Sequence, residues 1–223
     1  MDEGFWLRAE RQTAGRGRQG RAWVSPPGNF YGSTLVRLRP SDPAATGLAL
    51  VAGVALFEAV ARVARARPNP SPLGEGLIQR LQLKWPNDLL LGGAKFAGIL
   101  LERAGDAVVV GIGVNLAHHP HDLDRPVTSL AAHGPPPKPG AFTEALAAQF
   151  AAWLARWRGE GLATVAAAWE ARAHPPGAPL IAALPDGRRV EGVFAGLDPD
   201  GALILGLADG GRHAIHAGDV FLI

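Results

Sequence analysis

Lysine is rare in this chain, three residues against nineteen arginines, yet two of the three share the run from Lys84-Trp85-Pro86-Asn87-Asp88-Leu89 to Lys95-Phe96-Ala97-Gly98. A composition that uses arginine elsewhere and keeps lysine here points to positions that need a compact ammonium in place of a guanidinium fork. Upstream, Gly15-Arg16-Gly17-Arg18-Gln19-Gly20-Arg21 sets three cations on glycine-spaced backbone, and downstream Gly111-Ile112-Gly113-Val114-Asn115-Leu116 closes a strand. Together they suit a phosphate-bearing ligand and a second anionic group.

Each cluster also has a plainer reading. Gly15, Gly17 and Gly20 match the spacing of a dinucleotide fingerprint, but that fingerprint needs a helix opening on its last glycine, which Trp23-Val24-Ser25-Pro26-Pro27-Gly28 cannot supply. What remains is either a solvated basic turn or a loop, mobile when empty, whose Arg16, Arg18 and Arg21 wrap phosphate oxygens. Lys84 stands at a strand end, before a proline that stops ladder pairing. Asn87 and Asp88 follow as turn formers, or as groups that orient a phosphate or ribose, with Asp88 holding Mg²⁺ through water. Lys95 opens an apolar strand, where lysine commonly protects an edge, but Gly98 leaves room there for a ligand to approach the backbone. Gly113 and Asn115 read equally as a strand-end bend or as a nucleotide contact, and Trp23, beside the arginine loop, can stack on a purine. His118, His119 and His121 lie close together, but with no cysteine and only Asp122 and Asp124 nearby they read as a loop and not as a metal site.

The elements that must position these groups follow from periodicity and punctuation. Short strands are expected at Phe5 to Glu10 and Ser33 to Leu38, and a long helix from Pro43 to Arg65, capped by Ser41 or Asp42, with Leu48, Val51, Ala55 and Ala59 at helical spacing. Residues 67–77 read as a loop. Leu81 to Trp85, Asp88 to Leu91, Lys95 to Glu102 and Ala107 to Leu116 read as consecutive hairpins of a central sheet. After a Pro- and His-rich loop from His118 to Gly140, helices are expected at Ala141 to Trp157 and Leu162 to Ala173, with Phe142, Leu146, Phe150, Trp153, Leu154 and Trp157 inward. Pro175-Pro176-Gly177 marks a boundary, beyond which short strands separated by Asp-Gly turns form a small antiparallel barrel. The expected class is α+β: a mixed central sheet with flanking helices over residues 1–174, and a small SH3-like β-barrel over 178–223.

Composition bounds the rest. A length of 223 residues with 48% hydrophobic content supports a real core, and a formal charge of +2 does not describe a polyelectrolyte seeking nucleic acid. The absence of cysteine excludes disulfides and thiolate metal sites and fits a reducing cytoplasm. No secretory signal is legible at the start, and the apolar run from Thr46 to Ala64 contains Glu58 and Arg62, so it reads as a buried helix and not a membrane span.

In combination these motifs resemble those of the biotin protein ligases. Glu10 to Trp23, Lys84 to Leu89, Lys95 to Glu102 and Gly111 to Leu116 occur in that family's order and rough spacing, and the resemblance spans nearly the entire chain. It implies a catalytic fold shared with lipoate ligases and octanoyltransferases, and within it the ATP-dependent formation of biotinyl-5′-AMP followed by transfer to a lysine of a biotin carboxyl carrier protein. It implies that Gln12, Gly15, Arg16, Gly17, Arg18, Lys95 and Gly98 face biotin, and that Arg18, Arg21, Trp23, Lys84, Asn87, Asp88 and Asn115 lie around ATP, with Lys95 and Arg18 catalytic. Family members also carry a Ser-Thr-Asn segment before the first strand, which is not among the residues preceding Gln12, so a shortened N-terminus is expected, with no DNA-binding domain. A lipoate or octanoyl transferase of the same fold is the alternative, a nucleic-acid-binding module a more distant one, and a homodimer is left open.

Overall fold

The computed structural model describes residues 2–66 and 72–222 of the chain. Its larger sheet has six strands: β1 (Trp6–Ala9), β2 (Phe30–Arg37), β3 (Leu81–Lys84), β4 (Asp88–Leu91), β5 (Ala94–Ala104) and β6 (Ala107–Val114), in the order β1-β2-β6-β5-β4-β3. All five pairings are antiparallel, and the mixed character expected of the sheet is confined to one isolated parallel bridge between Lys95 and Val127. The antiparallel β4–β5 and β5–β6 pairings follow from the sequence itself, since Gly92-Gly93 and Gly105-Asp106 allow only tight hairpins.

One face of this sheet is closed by α1 (Leu48–Arg65) and α3 (Pro139–Glu160), with α2 (Pro72–Gln79) and α4 (Leu162–Glu170) at their ends. α1 lies between sheet and α3, so it is apolar on nearly all sides, and twelve of its residues are buried. The six apolar residues expected to face inward on α3 are all buried. Glu58 on α1 ties the helical layer together, accepting hydrogen bonds from Trp153 Nε1 at 2.9 Å and Arg172 Nη2 at 2.8 Å.

Two expectations need correction. The helix expected from Pro43 begins at Leu48, after a 3₁₀ turn at Ala45–Gly47, and has no side-chain cap. Asp42 cannot serve as one, because its carboxylate accepts from the Arg39 N–H at 3.0 Å and pairs with Arg158 at 3.2 Å. Of the stretch 67–77 expected as a loop, 67–71 lie outside the described residues, whereas from Pro72 the chain is helical. Proline fits a first helical turn, and Leu77, buried on the core side, rewards the conformation.

The smaller sheet comprises β7 (Pro179–Ala183), β8 (Arg189–Leu197), β9 (Leu203–Gly206), β10 (Arg212–Ile215) and β11 (Asp219–Leu222), in the order β10-β9-β8-β7-β11, antiparallel throughout. Its core is Leu180, Ala182, Phe194, Leu203, Leu205, Ile215 and Val220. The last strand returns beside the first, and that return carries Asp219 and Phe221 to a cavity on the larger sheet.

Candidate active site

The sheet face opposite the helices is shallow because of its glycines. Register places Gly98 opposite Gly113 and Gly111 opposite both Ser33 and Leu100, so that Gly98, Gly111 and Gly113 share one patch of the exposed face. The indole of Trp23 lies on this floor: a Cβ on Gly113 would come within 2.7 Å of it, and one on Gly98 within 3.3 Å. Around the floor is a cavity of about 270 Å³.

Lys95 reaches that cavity through a bulge. Asp88 pairs with Gly98 and Leu89 with Ala97, but Leu90 pairs with Lys95, leaving Phe96 as the extra residue. Phe96 and Ala97 are consecutive and both fully buried, which a strictly alternating strand could not achieve, and Lys95 and Gly98 consequently emerge on the same face. Lys95 Nζ forms an ion pair with the Asp88 carboxylate, both side chains being nearly buried. Burial lowers the Lys95 pKa, and the Asp88 charge opposes that shift. Lys84, opposite Asp88 in the β3–β4 pairing, is lowered in the same way by burial, against Asp88 and Asp219.

The β3–β4 turn is built into its surroundings. The Trp85–Pro86 peptide bond is cis, and Trp85 Nε1 donates to the carbonyl of Gly201, in the turn between β8 and β9, at 3.1 Å. Asn87 Nδ2 donates to the Ile99 carbonyl at 2.6 Å, which leaves its Oδ1 toward the cavity, where Arg18 Nη1 donates to it at 3.4 Å.

The arginine loop is folded and not extended. Arg16 bridges Ala22, the Gly17 N–H donates to the Arg21 carbonyl at 2.7 Å, and Arg18–Gly20 make a 3₁₀ turn. Gly15 is needed where this small hairpin crosses itself, because a Cβ there would meet the Trp23 carbonyl and the Gln12 side chain. Gln12 Oε1 accepts from Ser25 Oγ at 2.8 Å. Two of the arginines are held by the smaller sheet: Arg21 pairs with Asp219 at 2.9 Å and Arg18 with the same carboxylate at 3.6 Å, while Arg18 also donates to the Gly218 carbonyl at 3.2 Å.

Thus Gln12, Arg16, Gly17, Arg18, Arg21, Trp23, Lys84, Asn87, Asp88, Lys95 and Gly98 gather on one cavity. Gly15 and Asn115 do not line it. Asn115 is buried and braces a loop, donating from Nδ2 to the Thr128 carbonyl at 3.1 Å and accepting at its own carbonyl from the Leu130 N–H at 2.9 Å. Sequence reasoning missed Asp219, Tyr31, Ser33 and Arg125, all in the cavity wall. Asp219 and Arg125 sit far along the chain from the motifs they face, with no local pattern to mark them. Tyr31 and Ser33 could have been found, since alternation from core-facing Phe30 turns them to the opposite, cavity side of the sheet. In the histidine-bearing loop His119 Nδ1 lies 3.0 Å from Ser129 Oγ and its ring meets that of His121 edge-on.

The chain thus sets a glycine-floored basic cavity on a six-stranded antiparallel sheet, with helices behind it and a smaller sheet at its rim. Residues 3–116 match the Biotin/lipoate A/B protein ligase family, and residues 181–223 match the Biotin protein ligase C terminal domain. The chain belongs to this family. It is 41% identical to a biotin--[acetyl-CoA-carboxylase] ligase of Paracoccus denitrificans, over 97% of this chain and 89% of the relative, and 36% identical to the ligase of the same name from Mycobacterium tuberculosis, over 98% and 79%. Among solved structures it is similar to a biotin protein ligase from Aquifex aeolicus in complex with biotin and ATP, at 24% identity and a TM-score of 0.83, covering all of this chain and 90% of that one. A Leishmania major biotin protein ligase in complex with biotinyl-5-AMP aligns at 28% identity and a TM-score of 0.66, covering 96% of this chain and 88% of that one.

Proposed function

We propose that this chain is an ATP-dependent biotin ligase that forms biotinyl-5′-AMP and transfers biotin to a lysine of a biotin carboxyl carrier protein, the carboxylase subunit that accepts it. The 41% identity over nearly the full length of a relative named for that activity carries the reading, and the chemistry of the cavity supports it. The division of labour follows the two sheets, the larger one with its helices over residues 1–174 binding both substrates and the smaller over 178–223 lending the rim.

In the first step a carboxylate oxygen of biotin attacks the α-phosphorus of ATP and pyrophosphate leaves. Bringing a carboxylate against a triphosphate sets like charges together, so the barrier is electrostatic, and fixed cations that cost no reorganisation lower it. Lys95 is placed for the reacting carboxyl and α-phosphate, with Gln12, Arg16, Gly17 and Gly98 on the biotin side and Lys84, Asn87, Arg21 and Trp23 on the nucleotide side. Gly15 shapes the loop and Asn115 braces the site from behind. Arg18 closes over the intermediate, whose competing reaction is hydrolysis. In the second step the acceptor amine attacks the acyl carbon of the mixed anhydride and AMP leaves.

Asp88 is the acid beside the two lysines, and among the described residues no three His, Cys, Asp or Glu side chains gather as a metal site of their own. A lone carboxylate suits an ion that arrives on phosphate oxygens, as Mg²⁺ does with ATP. Asp88 would hold it through water, and the ion would neutralise phosphate charge.

The test is calorimetric titration with biotin and then ATP, followed by mass spectrometry of the nucleotide product. Synergistic binding and a biotinyl-adenylate are expected. Adenylation of lipoate or octanoate in preference to biotin would transfer the chain to the other branch of the family.

A further inference from the structure

Arg125 has no part in the chemistry above, yet it stands in the wall of the same cavity and is exposed at its mouth. Its position is built. Pro126 confines the preceding residue to extended backbone. On the other side of the proline the chain is pinned to Lys95, whose N–H donates to the Pro126 carbonyl at 2.8 Å and whose carbonyl accepts from the Thr128 N–H at 2.9 Å, around the parallel bridge between Lys95 and Val127. Asn115 fixes the same segment from beneath through the Thr128 carbonyl. The backbone that orients Lys95 is therefore the backbone that carries Arg125.

Among the described residues no carboxylate forms an ion pair with Arg125, those of Asp122 and Asp124 in its own exposed loop included. Six basic side chains line the cavity against three acidic ones. Asp88 is engaged by Lys95, and Asp219 by Arg18 and Arg21. Glu102, the remaining acid, lies beyond ion-pair distance of Arg125. Arg125 moreover acts electrostatically on both Lys84 and Lys95, adding repulsion to a site already rich in cations. A guanidinium held there without a carboxylate is compensated when an anion enters, and its planar fork suits phosphate oxygens.

We propose that Arg125 binds the β- and γ-phosphates of the nucleotide and the pyrophosphate that departs from them, an inference that rests on the adenylation reading above. When the carboxylate oxygen bonds to the α-phosphorus, the bond from that phosphorus to the β-bridging oxygen breaks and its electron pair leaves with pyrophosphate. No proton moves in this step. Lys95, over the glycine floor, stays with the α-phosphate that the adenylate retains, whereas Arg125 at the mouth meets the part that is lost.

That division supplies the test. Arg125→Ala should raise the KM for ATP in adenylate formation about tenfold, and likewise the pyrophosphate concentration that half-saturates the reverse reaction, as expected for one lost charge-assisted contact near the surface. Arg125→Lys should recover part of both. Transfer of biotin from preformed biotinyl-5′-adenylate to the acceptor should stay unchanged, because that substrate has no β- or γ-phosphate. Unchanged ATP and pyrophosphate dependence would overturn the proposal, as would an equal loss in the transfer step, which would mark a loop of purely structural importance. Titration of pyrophosphate alone into the wild-type chain and Arg125→Ala keeps the two readings apart: weaker pyrophosphate binding by the variant supports the contact even if the wild type adenylates some other acid, and equal binding refutes it.

Discussion

Lys95 is the residue on which the proposed chemistry converges, and its setting explains why a lysine stands there. The bulge at Phe96 turns it onto the glycine floor, and Asp88 neutralises it until a ligand arrives. A compact ammonium fits between that floor and the Trp23 ring, whose centre lies 5.7 Å from Nζ, more readily than a guanidinium. Lys95→Ala is expected to leave the fold intact, since the side chain lines the cavity and lies outside the hydrophobic core, and to slow adenylate formation about a hundredfold or more, the scale seen when a preorganised electrostatic stabiliser is removed. Single-turnover measurement of biotinyl-AMP checks this, and a near-normal rate would remove Lys95 from the mechanism. The charge state gives a second expectation. Burial holds the Lys95 pKa below the usual lysine range and Asp88 raises it back, so the ammonium is present at low pH and lost as pH climbs through the depressed pKa. Adenylation should therefore decline at a lower alkaline pH than an ordinary lysine would give. Asp88→Asn, which deletes the opposing charge, should move that decline to still lower pH, and an unmoved alkaline limb would show that another group sets it.

The arginine loop and the strands beneath it show what kind of element the sequence discloses. The loop stood out because glycine spacing and cation density are local, and so did the hairpins from β4 to β6, whose turns are written in Gly-Gly and Gly-Asp pairs. The bulge was not legible, because Phe96-Ala97 reads as any apolar pair until the register against β4 is known. The start of α1 was misplaced because Asp42, a good cap by type, is claimed by Arg158 from 116 residues away. The same limit hid the partners that the loop arginines find in the smaller sheet. If the loop closes over the adenylate, Arg18→Gly removes both the contact to Asn87 and the tie to Gly218, and the intermediate should escape faster. Trapping free biotinyl-AMP and counting bystander lysines biotinylated would register this, and unchanged retention would contradict the closing role.

At the scale of the whole molecule the two sheets share one site, and two couplings between them can be measured. His174 lies between α4 and β7, buried, with no hydrogen-bond partner for Nε2. Burial, reinforced by the nearby Lys84 charge, lowers its pKa from about 6.5 to about 4. The unfolded chain takes up a proton below about pH 6.5 that the folded chain refuses, so stability should fall as pH drops from about 6.5 to about 4, by at most about 3 kcal/mol from this group. Urea unfolding of His174→Gln, compared with the wild type across that window, should show a flatter acid limb. The second coupling joins the arginine loop to β11. Asp219 pairs with Arg21 and Arg18 through contacts that span about two hundred residues of sequence, so the smaller sheet holds the loop in place before any nucleotide binds. Arg21 is substantially exposed, which limits the pair to about 0.5–1 kcal/mol. Asp219→Ala should loosen the loop and hasten loss of the adenylate in the direction of Arg18→Gly, though less severely. Arg21→Ala alone should weaken ATP binding as well, since the proposed reading sets that guanidinium, which lines the cavity, on the nucleotide side. In the double variant the two effects on adenylate release should fall short of adding, by the energy of the pair they share. Full additivity would mean that the contact is incidental to loop closure, and that the smaller sheet reaches the site by Trp85 and Gly201 instead.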